Sequence, residues 1–277
     1  MSRSAELTIP NVLSIAGSDP SGGAGIQADL KTFAALGCYG MAVVTALTAQ
    51  NTQRVFRIHL PPADFVAAEI DAVFDDIDVH AVKIGMLGSG EIARAVAGRL
   101  KQRRVPIVLD PVLVATSGDA LGTADLVEAL REELLPLATL VAPNLSEAAR
   151  LTDRPAPRNV DGMQRLAERL HALGARAGLV KGGHLAGTQA TDVLFDGKSH
   201  RLFTRPRIET AGDTHGTGCT LASAIAAHLA KGLAIGDAVE AAKRYVTEAL
   251  QASGELRVGR GPTPLNHLYA LRPRLDG

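Results

Sequence analysis

The sequence predicts an α/β protein with a mostly parallel central sheet, helices on both faces of that sheet and a small antiparallel hairpin. Short β-branched segments alternate with helical segments through most of the 277 residues. The strand segments, such as NVLSIAG at 11–17, are continuously apolar, which is typical of parallel strands buried on both faces. One segment, TDVLFDGKSHRLFT at 191–204, differs because its central Asp196-Gly197 is typical of a tight antiparallel turn.

The first predicted helix is AGIQADLKTFAALG at 24–37, directly after the first strand. Ile26, Leu30 and Phe33 share one face of it, and Gly37 is a natural C-terminal stop. The spacing of these residues therefore predicts a helix that packs its apolar face against the sheet.

A second helix is predicted at 61–77, because proline marks its start and Phe65, Ile70 and Phe74 point toward the core. Strands and helices alternate up to residue 183, and two further helices follow near 217–231 and 235–253. The other predicted strands are GMAVVTALTAQ, HAVKIGML, VPIVLDPV, ATLVAPN and AGLVKGG, and the other predicted helices lie near 89–103, 123–135 and 160–173. No linker, repeat or low-complexity segment interrupts the pattern, so residues 1–277 are predicted to form a single domain.

The amino-acid composition of the chain disfavours several classes of protein. Lysine plus arginine and aspartate plus glutamate both total 29, so no net charge draws the chain to nucleic acid or a lipid surface. Aromatic residues are only 3%, which disfavours base-stacking surfaces. No apolar run is long enough for a membrane span or a signal peptide, and two cysteines are too few for a disulfide framework. We expect a cytoplasmic protein with a small-molecule substrate and without nucleic-acid or membrane partners.

Glycines and polar residues gather where the predicted strands end. The segments are GSDPSGGAG, TAQN, KIGM, LDPV, APNLSE and KGGH. Ligands of open α/β sheets bind at the carboxyl ends of the strands. This edge of the sheet is therefore the predicted active site.

The first glycine-rich segment has the spacing of a dinucleotide-binding fingerprint, with Gly23, Gly25 and Ala28 after a strand. That fingerprint also needs an acidic residue about 20 positions further on, and the second strand ends instead in Gln50-Asn51. No lysine completes a GxxxxGK[ST] phosphate loop either. The glycines form either a ligand loop of another kind or a tight structural turn.

Two polar side chains near the predicted crevice each allow two interpretations. Asp29 lies on the flank of its helix's apolar stripe and is either an ordinary solvated carboxylate or a site residue. Gln50 ends a strand, and its amide suits the N–C–NH2 edge of an aminated heterocycle. The alternative is that Gln50 satisfies the backbone of its own loop.

Four residues indicate a phosphate and metal side of the site. Asn144 either caps the helix that follows it or faces the ligand. Glu147 is a candidate to hold Mg2+, usually through water because this ion keeps much of its hydration shell, and Asp110 is a candidate to face the metal or the phosphates. Lys181 follows an apolar strand and would direct its ammonium at a phosphate, unless the side chain only extends to solvent.

The segment DTHGTGCTLAS at 213–223 is the most specific one. Gly216 and Gly218 allow consecutive backbone amides to converge at the positive end of a helix, which favours a site for a phosphate. A glycine-rich turn before a packed helix is the alternative. Cys219 lies in the first turn, where a helix N-terminus lowers the thiol pKa. We expect a reactive thiol with a pKa near neutrality, the alternative being a small apolar side chain.

With these segments, the chain resembles the ribokinase-like superfamily and, within it, the hydroxymethylpyrimidine/phosphomethylpyrimidine kinases of thiamine biosynthesis. The likeness runs from SIAGSDPSGGAGIQADLKTFAALGCYGMAVVTALTAQNT through VKIGMLG, VLDPV, SGDAL, PNLSEA and KGGH to DTHGTGCTLASAIAAHLAKG. It implies a ribokinase-like fold, usually a homodimer, and dependence on ATP and Mg2+. It also implies phosphorylation of 4-amino-5-hydroxymethyl-2-methylpyrimidine and then of its monophosphate.

The resemblance further implies the roles of individual residues. It places around the pyrimidine Gly17, Asp29, Gln50, Met86 and Val112, and on the nucleotide and Mg2+ side Asn144, Glu147, Lys181 and Thr210. Gly216 and Gly218 become the anion hole for the transferred phosphate. Cys219 becomes the base for the substrate hydroxyl, at the position where the wider superfamily carries an aspartate. A pyridoxal-type vitamin kinase and a non-catalytic pyrimidine or nucleotide sensor are the alternatives.

Overall fold

The computed structural model describes residues 9–113, 123–183, 185–208 and 214–271. The strands of its central sheet are β1 (Asn11–Gly17), β2 (Tyr39–Gln50), β3 (Val55–His59), β4 (Ala81–Ile84), β5 (Ile107–Leu109), β6 (Leu140–Val141), β7 (Gly178–Val180), β8 (Gln189–Phe195) and β9 (His200–Pro206). The α-helices of these ranges are α1 (Gly25–Ala35), α2 (Ala63–Asp76), α3 (Gly90–Leu100), α4 (Ala124–Ala129), α5 (Leu145–Thr152), α6 (Val160–Ala172), α7 (Thr217–Ala230) and α8 (Ile235–Gln251).

The nine strands of the sheet lie in the order β3-β2-β1-β4-β5-β6-β7-β8-β9. Strands β2, β1, β4, β5, β6 and β7 pair in parallel, whereas β3, β8 and β9 pair with their neighbours in the antiparallel sense. The predicted fold class is therefore confirmed. Strand order reverses at β1, which has β2 on one side and β4 on the other, and such a switch point opens a crevice for ligands.

Apolar side chains cover both faces of the sheet, as the continuous apolar strands predict. One buried cluster joins the sheet to α2 through α6, and a second joins it to α1, α7 and α8. Side chains alternate between these clusters along a strand. In β4, Val82 and Ile84 belong to the first cluster and Ala81 to the second, so Lys83 points toward α1 and α7.

The first strand and helix match their sequence pattern closely. Strand β1 has the predicted bounds, and Phe33 of α1 is fully buried. Gly37 follows the end of α1 with a φ of 69°. This left-handed conformation is the one that ends many helices and that glycine adopts at little cost.

The apolar face of α2 differs from the predicted one. Phe65 is 58% exposed, while Val66 and Ile70 are fully buried. Val66 and Ile70 are four residues apart and stack on one face, and Phe74 continues that row against the core. Phe65 lies about 100° round the helix from Val66, so its predicted core position is wrong.

Three other local features go beyond the sequence pattern or differ from it. The edge strand β3 has no counterpart among the predicted elements, because most of its residues are exposed and give no apolar run. The hairpin turn spans four residues, 196–199, and the Asp196 carboxylate accepts from the amides of Lys198 and Ser199. The helix predicted at 123–135 begins as α4 and continues as a π turn (Leu130–Leu134) and a 3-10 turn (Leu135–Leu137).

A small second sheet ties the end of the described chain to the glycine-rich loop before α7. Strand β10 (Thr214–His215) pairs in parallel with β11 (Thr263–Pro264). Nearby, His267 Nε2 lies 3.0 Å from the Thr220 hydroxyl, which donates to the carbonyl of Gly216. Within the described ranges, no helix is both long and apolar enough to cross a membrane.

Candidate active site

The carboxyl ends of β1 and β4 lie close to the interior of β2 at the switch point. A Cβ atom at Gly17 would lie 3.3 Å from both Met86 Sδ and Ala46 Cβ. The Thr45 hydroxyl donates to the carbonyl of Met86 at 2.5 Å. Val112 follows β5, the neighbour of β4, and is half-buried. The structure therefore brings Gly17 and Met86 together and puts Val112 after the adjacent strand.

Asp19 organises the loop after β1, a role that the sequence pattern did not reveal. Its Oδ1 accepts from the amide and hydroxyl of Ser21, and its Oδ2 accepts from the amides of Gly23 and Ala24. The same Oδ2 lies 2.8 Å from His215 Nε2. Burial alone would raise the pKa of Asp19, but its hydrogen bonds to His215 and Ser21 and the charge of His215 lower it. The available signal was an aspartate directly before Pro-Ser-Gly-Gly, a common turn pattern.

The two glycine-rich loops pack directly against each other. Gly216 has a φ of 85°, and a Cβ atom there would lie 1.9 Å from the carbonyl oxygen of Gly23. At Gly23, a Cβ atom would lie 2.5 Å from the His215 ring. Both glycines are therefore required by the close approach of the loops, whichever ligand the loops bind.

Gln50 lies beside this loop contact and is half-buried. Its Nε2 is 3.4 Å from His215 Nε2, and its Oε1 is 3.2 Å from the Thr48 hydroxyl. Both functions of the amide thus have partners within the chain. Contact between Gln50 and a heterocycle stays a prediction.

Asp29 of α1 lies in the core. Its side chain is fully buried, so the interpretation of Asp29 as a solvated carboxylate is wrong. Its Oδ2 accepts from the Ser14 hydroxyl at 2.6 Å and from Lys83 Nζ at 2.7 Å, and its Oδ1 accepts from the Ser223 hydroxyl at 2.6 Å. With three donors already bound, its direct contact with a substrate stays a prediction.

Lys181 and Asp110 form an ion pair directly below the first turn of α7. Lys181 Nζ lies 2.6 Å from Asp110 Oδ1. A Cβ atom at Gly218 would lie 3.2 Å from that Nζ and 3.7 Å from Asp110 Oδ2. Burial opposes the charge of Lys181, but the carboxylates of Asp110 and Glu147 raise its pKa, so the ammonium keeps its proton. The structure therefore joins the predicted phosphate residues to the predicted anion hole.

Asn144 and Glu147 form a capping box at the start of α5. Asn144 Oδ1 accepts from the amide of Glu147 at 3.0 Å, and Glu147 Oε2 accepts from the amide of Asn144 at 2.8 Å. The capping interpretation of Asn144 is therefore confirmed. Burial raises the pKa of Glu147 to about 7, and the charge of Asp110 adds to this while Lys181 opposes it.

The predicted metal residues, Asp110 and Glu147, are near enough for their charges to interact. Asp110 uses one oxygen on Lys181, and Glu147 accepts from two backbone amides. In the described ranges, no group of three or more histidine, cysteine or acidic residues is arranged to hold a metal ion. The two carboxylates fit a Mg2+ ion that keeps its water and phosphate ligands, which is the usual mode for this ion.

Cys219 lies in the first turn of α7 and is half-buried. Burial raises the pKa of its thiol to about 11; Lys83 opposes this rise, while the carboxylates of Asp110 and Asp29 add to it. The expected pKa near neutrality is therefore wrong for this structure. One helix terminus and one cation do not offset the loss of water and two nearby negative charges.

Lys83, absent from the predicted residues, is a fully buried cation below the crevice, and its signal was a lysine inside the apolar segment HAVKIGML. Thr210, predicted on the nucleotide side, lies outside the described residues, as does the SGDAL segment.

Residues 19–266 match the family model described as phosphomethylpyrimidine kinase. The chain belongs to the phosphomethylpyrimidine kinase family. It is 54% identical to the hydroxymethylpyrimidine/phosphomethylpyrimidine kinase of Rhizobium meliloti (strain 1021), over 93% of this chain and 96% of that protein. A thiamine biosynthesis bifunctional protein of Geobacter sulfurreducens is 51% identical over 94% of this chain, which spans 52% of that protein.

Solved structures share the fold of this chain. The ADP complex of Bacillus subtilis pyridoxal kinase is 37% identical, with a TM-score of 0.85, over 95% of this chain and 100% of that chain. As a member of the phosphomethylpyrimidine kinase family, the chain is an ATP-dependent kinase with an α/β ribokinase-like fold that serves phosphorylation steps of thiamine biosynthesis.

Proposed function

We propose that this kinase phosphorylates the hydroxymethyl group of 4-amino-5-hydroxymethyl-2-methylpyrimidine and then the resulting monophosphate. The observation that carries the proposal is the position of Gly218 directly over the Lys181–Asp110 pair, with Cys219 as the next residue of the same helix turn. The names of the relatives support this substrate, and the geometry supports a site for phosphoryl transfer to a hydroxyl group.

The backbone at the start of α7 is the proposed anion hole. Phosphoryl transfer needs mainly positioning and charge stabilisation. The first amides of a helix are free to donate to an anion, and the helix adds its positive end there. Gly218 keeps that space open, because a Cβ atom would come within 3.2 Å of Lys181 Nζ. Lys181 then supplies the positive charge that a transferring phosphoryl group requires.

Cys219 is the proposed base for the substrate hydroxyl. Its thiol is mostly protonated near neutral pH, since its pKa is raised to about 11. The reactive form is the thiolate, which accepts the hydroxyl proton as the new O–P bond forms. A base of high pKa accepts that proton readily, although only a small fraction of the enzyme molecules has Cys219 as the thiolate at neutral pH.

Asp110 and Glu147 are the proposed contacts for Mg2+ on the nucleotide side, through its water ligands. Mg2+ would neutralise charge on the phosphates of ATP. Asn144 and Thr210 are proposed to lie at the nucleotide, with Asn144 also holding Glu147 in place through the capping box. Gly17, Met86, Val112 and Gln50 are proposed to surround the pyrimidine.

We also propose a homodimer formed through the β2–β3 edge of the sheet. Leu47, Phe56 and Ile58 are exposed by 49%, 51% and 43% on these two strands. An edge strand with exposed apolar residues is a ready surface for a partner, and a second copy of the chain is the partner that the resemblance implies. The two free thiols are consistent with the expected cytoplasmic location.

One experiment separates the proposed substrate from its rivals. The structural likeness to a pyridoxal kinase makes a pyridoxal-type ring the second candidate. A coupled assay of ADP release should give the highest kcat/KM with the aminopyrimidine, measurable turnover with its monophosphate and a lower value with pyridoxal. A higher kcat/KM for pyridoxal would reverse the assignment. Absence of phosphoryl transfer to all three compounds would favour a sensor.

A further inference from the structure

An ion pair without solvent contact lies beneath the first turn of α7. Lys83 Nζ of β4 lies 2.7 Å from Asp29 Oδ2 of α1, and neither side chain exposes any surface. Ser14 of β1 and Ser223 of α7 donate to the same carboxylate, both at 2.6 Å. Four elements of the fold thus converge on one buried cation and one buried anion.

The stability of the core does not explain this lysine. Removing two charges from water costs free energy that their attraction only partly returns, and apolar residues of similar size often serve the core equally well. The other residues of β4 are Ala81, Val82 and Ile84, all apolar and fully buried. A position inside such a strand suits an apolar side chain, so the stability of the core alone does not require the charge at Lys83.

The ion pair lies on the side of α7 that carries Cys219. Ser223 follows Cys219 by four residues, so the two side chains are one turn apart on the same face of the helix. Ser223 holds Asp29, and Asp29 holds Lys83. The ammonium is close enough to the sulfur to oppose the effect of burial on the thiol pKa.

The ammonium of Lys83 retains N–H donors on the side of α7 that carries Cys219. An ammonium has three N–H donors, and among the described residues Asp29 is the hydrogen-bond acceptor for Lys83. A Cβ atom at Gly85 would lie 2.7 Å from Nζ. Glycine at this position therefore leaves the space that the ammonium occupies below the ends of the strands.

We propose that Lys83 is a positioning residue for phosphoryl transfer, a buried cation that Asp29 and Ser223 hold beneath Cys219 to favour its thiolate. The inference rests on the proposed role of Cys219. In that step the O–H bond of the substrate breaks as its oxygen bonds to the γ-phosphorus, and the proton moves to Sγ. The bond from the γ-phosphorus to the ADP oxygen breaks, and the thiol later releases its proton to water. Lys83 keeps its own protons throughout.

The charged groups around Cys219 determine the direction in which each variant should change the thiolate fraction. They are Lys83 from β4, Asp29 from α1, Asp110 after β5 and Lys181 after β7. Removing the charge of Lys83 should deplete the thiolate, whereas removing the charge of Asp29 should enrich it. Partial unfolding would instead expose the thiol in both variants and change both in the same direction.

The test is the rate of alkylation of Cys219 by iodoacetamide in the ligand-free protein at mildly alkaline pH, in a Cys38→Ala background. Lys83→Met should slow alkylation by at least about tenfold, because the rate follows the thiolate fraction and one pKa unit is a tenfold change. Asp29→Asn should speed it. An unchanged or faster rate in folded Lys83→Met protein would overturn the proposal.

A second buried pair supplies the matched control. Lys243 Nζ lies 2.6 Å from Asp192 Oδ2, with both side chains nearly buried, between α8 and β8. Lys243→Met loses the same kind of pair away from the thiol and should leave the alkylation rate unchanged. If Lys83→Met does not fold, the double variant Lys83→Met/Asp29→Asn, which lacks both charges, is measured in its place. That protein should still react more slowly than wild type, because the proposal makes Lys83 the member of the pair that acts on the thiol. A rate equal to wild type would refute the proposal.

Kinetics distinguish this inference from the proposed function on which it rests. Lys83→Met should lower kcat without raising the KM for ATP, and it should cause no further loss in a Cys219→Ala background. A loss that persists in that background would refute the coupling to the thiol. Wild-type kcat in Cys219→Ala itself would refute the proposed base.

Discussion

At the scale of single residues, Cys219 is the side chain whose behaviour the sequence and the structure describe most differently. The sequence pattern puts it at a helix N-terminus, which favours the thiolate. The structure adds burial and the charges of Asp110 and Asp29, which favour the thiol. Because those groups come from distant parts of the chain, no local pattern could reveal their effect.

Replacement of Cys219 by alanine should lower kcat by at least about 100-fold, within the range that general bases contribute. ATP binding should persist, since the proposed anion hole consists of the backbone and Lys181. Cys219→Asp should retain more activity than the alanine variant, because a carboxylate can also accept the proton. Steady-state kinetics and nucleotide titration check both, and near-wild-type kcat in the alanine variant would remove Cys219 from the mechanism.

The raised pKa of Cys219 also predicts a pH dependence. In the proposed mechanism the thiolate is the active form, and its fraction grows as pH rises toward the thiol pKa of about 11. Above the Glu147 pKa of about 7 and below the thiol pKa, kcat/KM should rise about tenfold per pH unit, since this parameter reports ionisations of the free enzyme. Cys219→Asp, with a carboxylate already ionised at neutral pH, should give a flatter profile. Parallel profiles for the two proteins would contradict the thiolate mechanism.

Gln50 tests ring recognition at the same scale. Its replacement by leucine should cost the aminopyrimidine roughly 1–3 kcal/mol in kcat/KM, because a buried amine would lose its partner. A pyridoxal-type substrate lacks that amine and should lose far less. The measurement is kcat/KM for both rings in both proteins. An equal loss for both rings would mean that Gln50 only supports the loop through Thr48 and His215.

At the scale of elements, the sequence predicts those parts of the fold whose pattern is local. Strand β1, the capping box of α5 and the stop at Gly37 all follow from neighbouring residues. The edge strand β3 could not be predicted in this way, because its pairing with β2 supplies what its own exposed side chains do not. The Lys83–Asp29 pair was missed for a related reason, since its partners are 54 residues apart in the sequence.

The start of α7 carries a prediction of its own. Gly218→Val should lower kcat more than it weakens ATP binding, because the added side chain would crowd Lys181 and distort the donors to the transferred phosphate. Gly98→Val in α3 is the matched control, since a Cβ atom there meets no atom within 4 Å. It should keep wild-type kcat. If Gly218→Val raises the KM for ATP and leaves kcat unchanged, the loop only binds nucleotide.

At the scale of the whole molecule, the two edges of the sheet differ in their proposed use. The β3 edge is proposed to bind a second copy of the chain through Phe56 and Ile58. Phe56→Glu/Ile58→Glu should therefore shift the protein from dimer to monomer in sedimentation velocity. Leu202→Glu on β9, at the opposite edge and also exposed by 46%, should leave the dimer intact. A dimer that survives the double substitution would place the interface elsewhere.

The pairing of β10 with β11 has a consequence for how the enzyme is made in the cell. The ribosome releases the glycine-rich loop well before Thr263–Pro264, the strand that holds its edge, and before His267, which supports the turn through Thr220. The central sheet can form while synthesis continues, but the glycine-rich loop cannot be completed until residues 263–267 have emerged. A nascent chain should therefore acquire its fold first and its activity last.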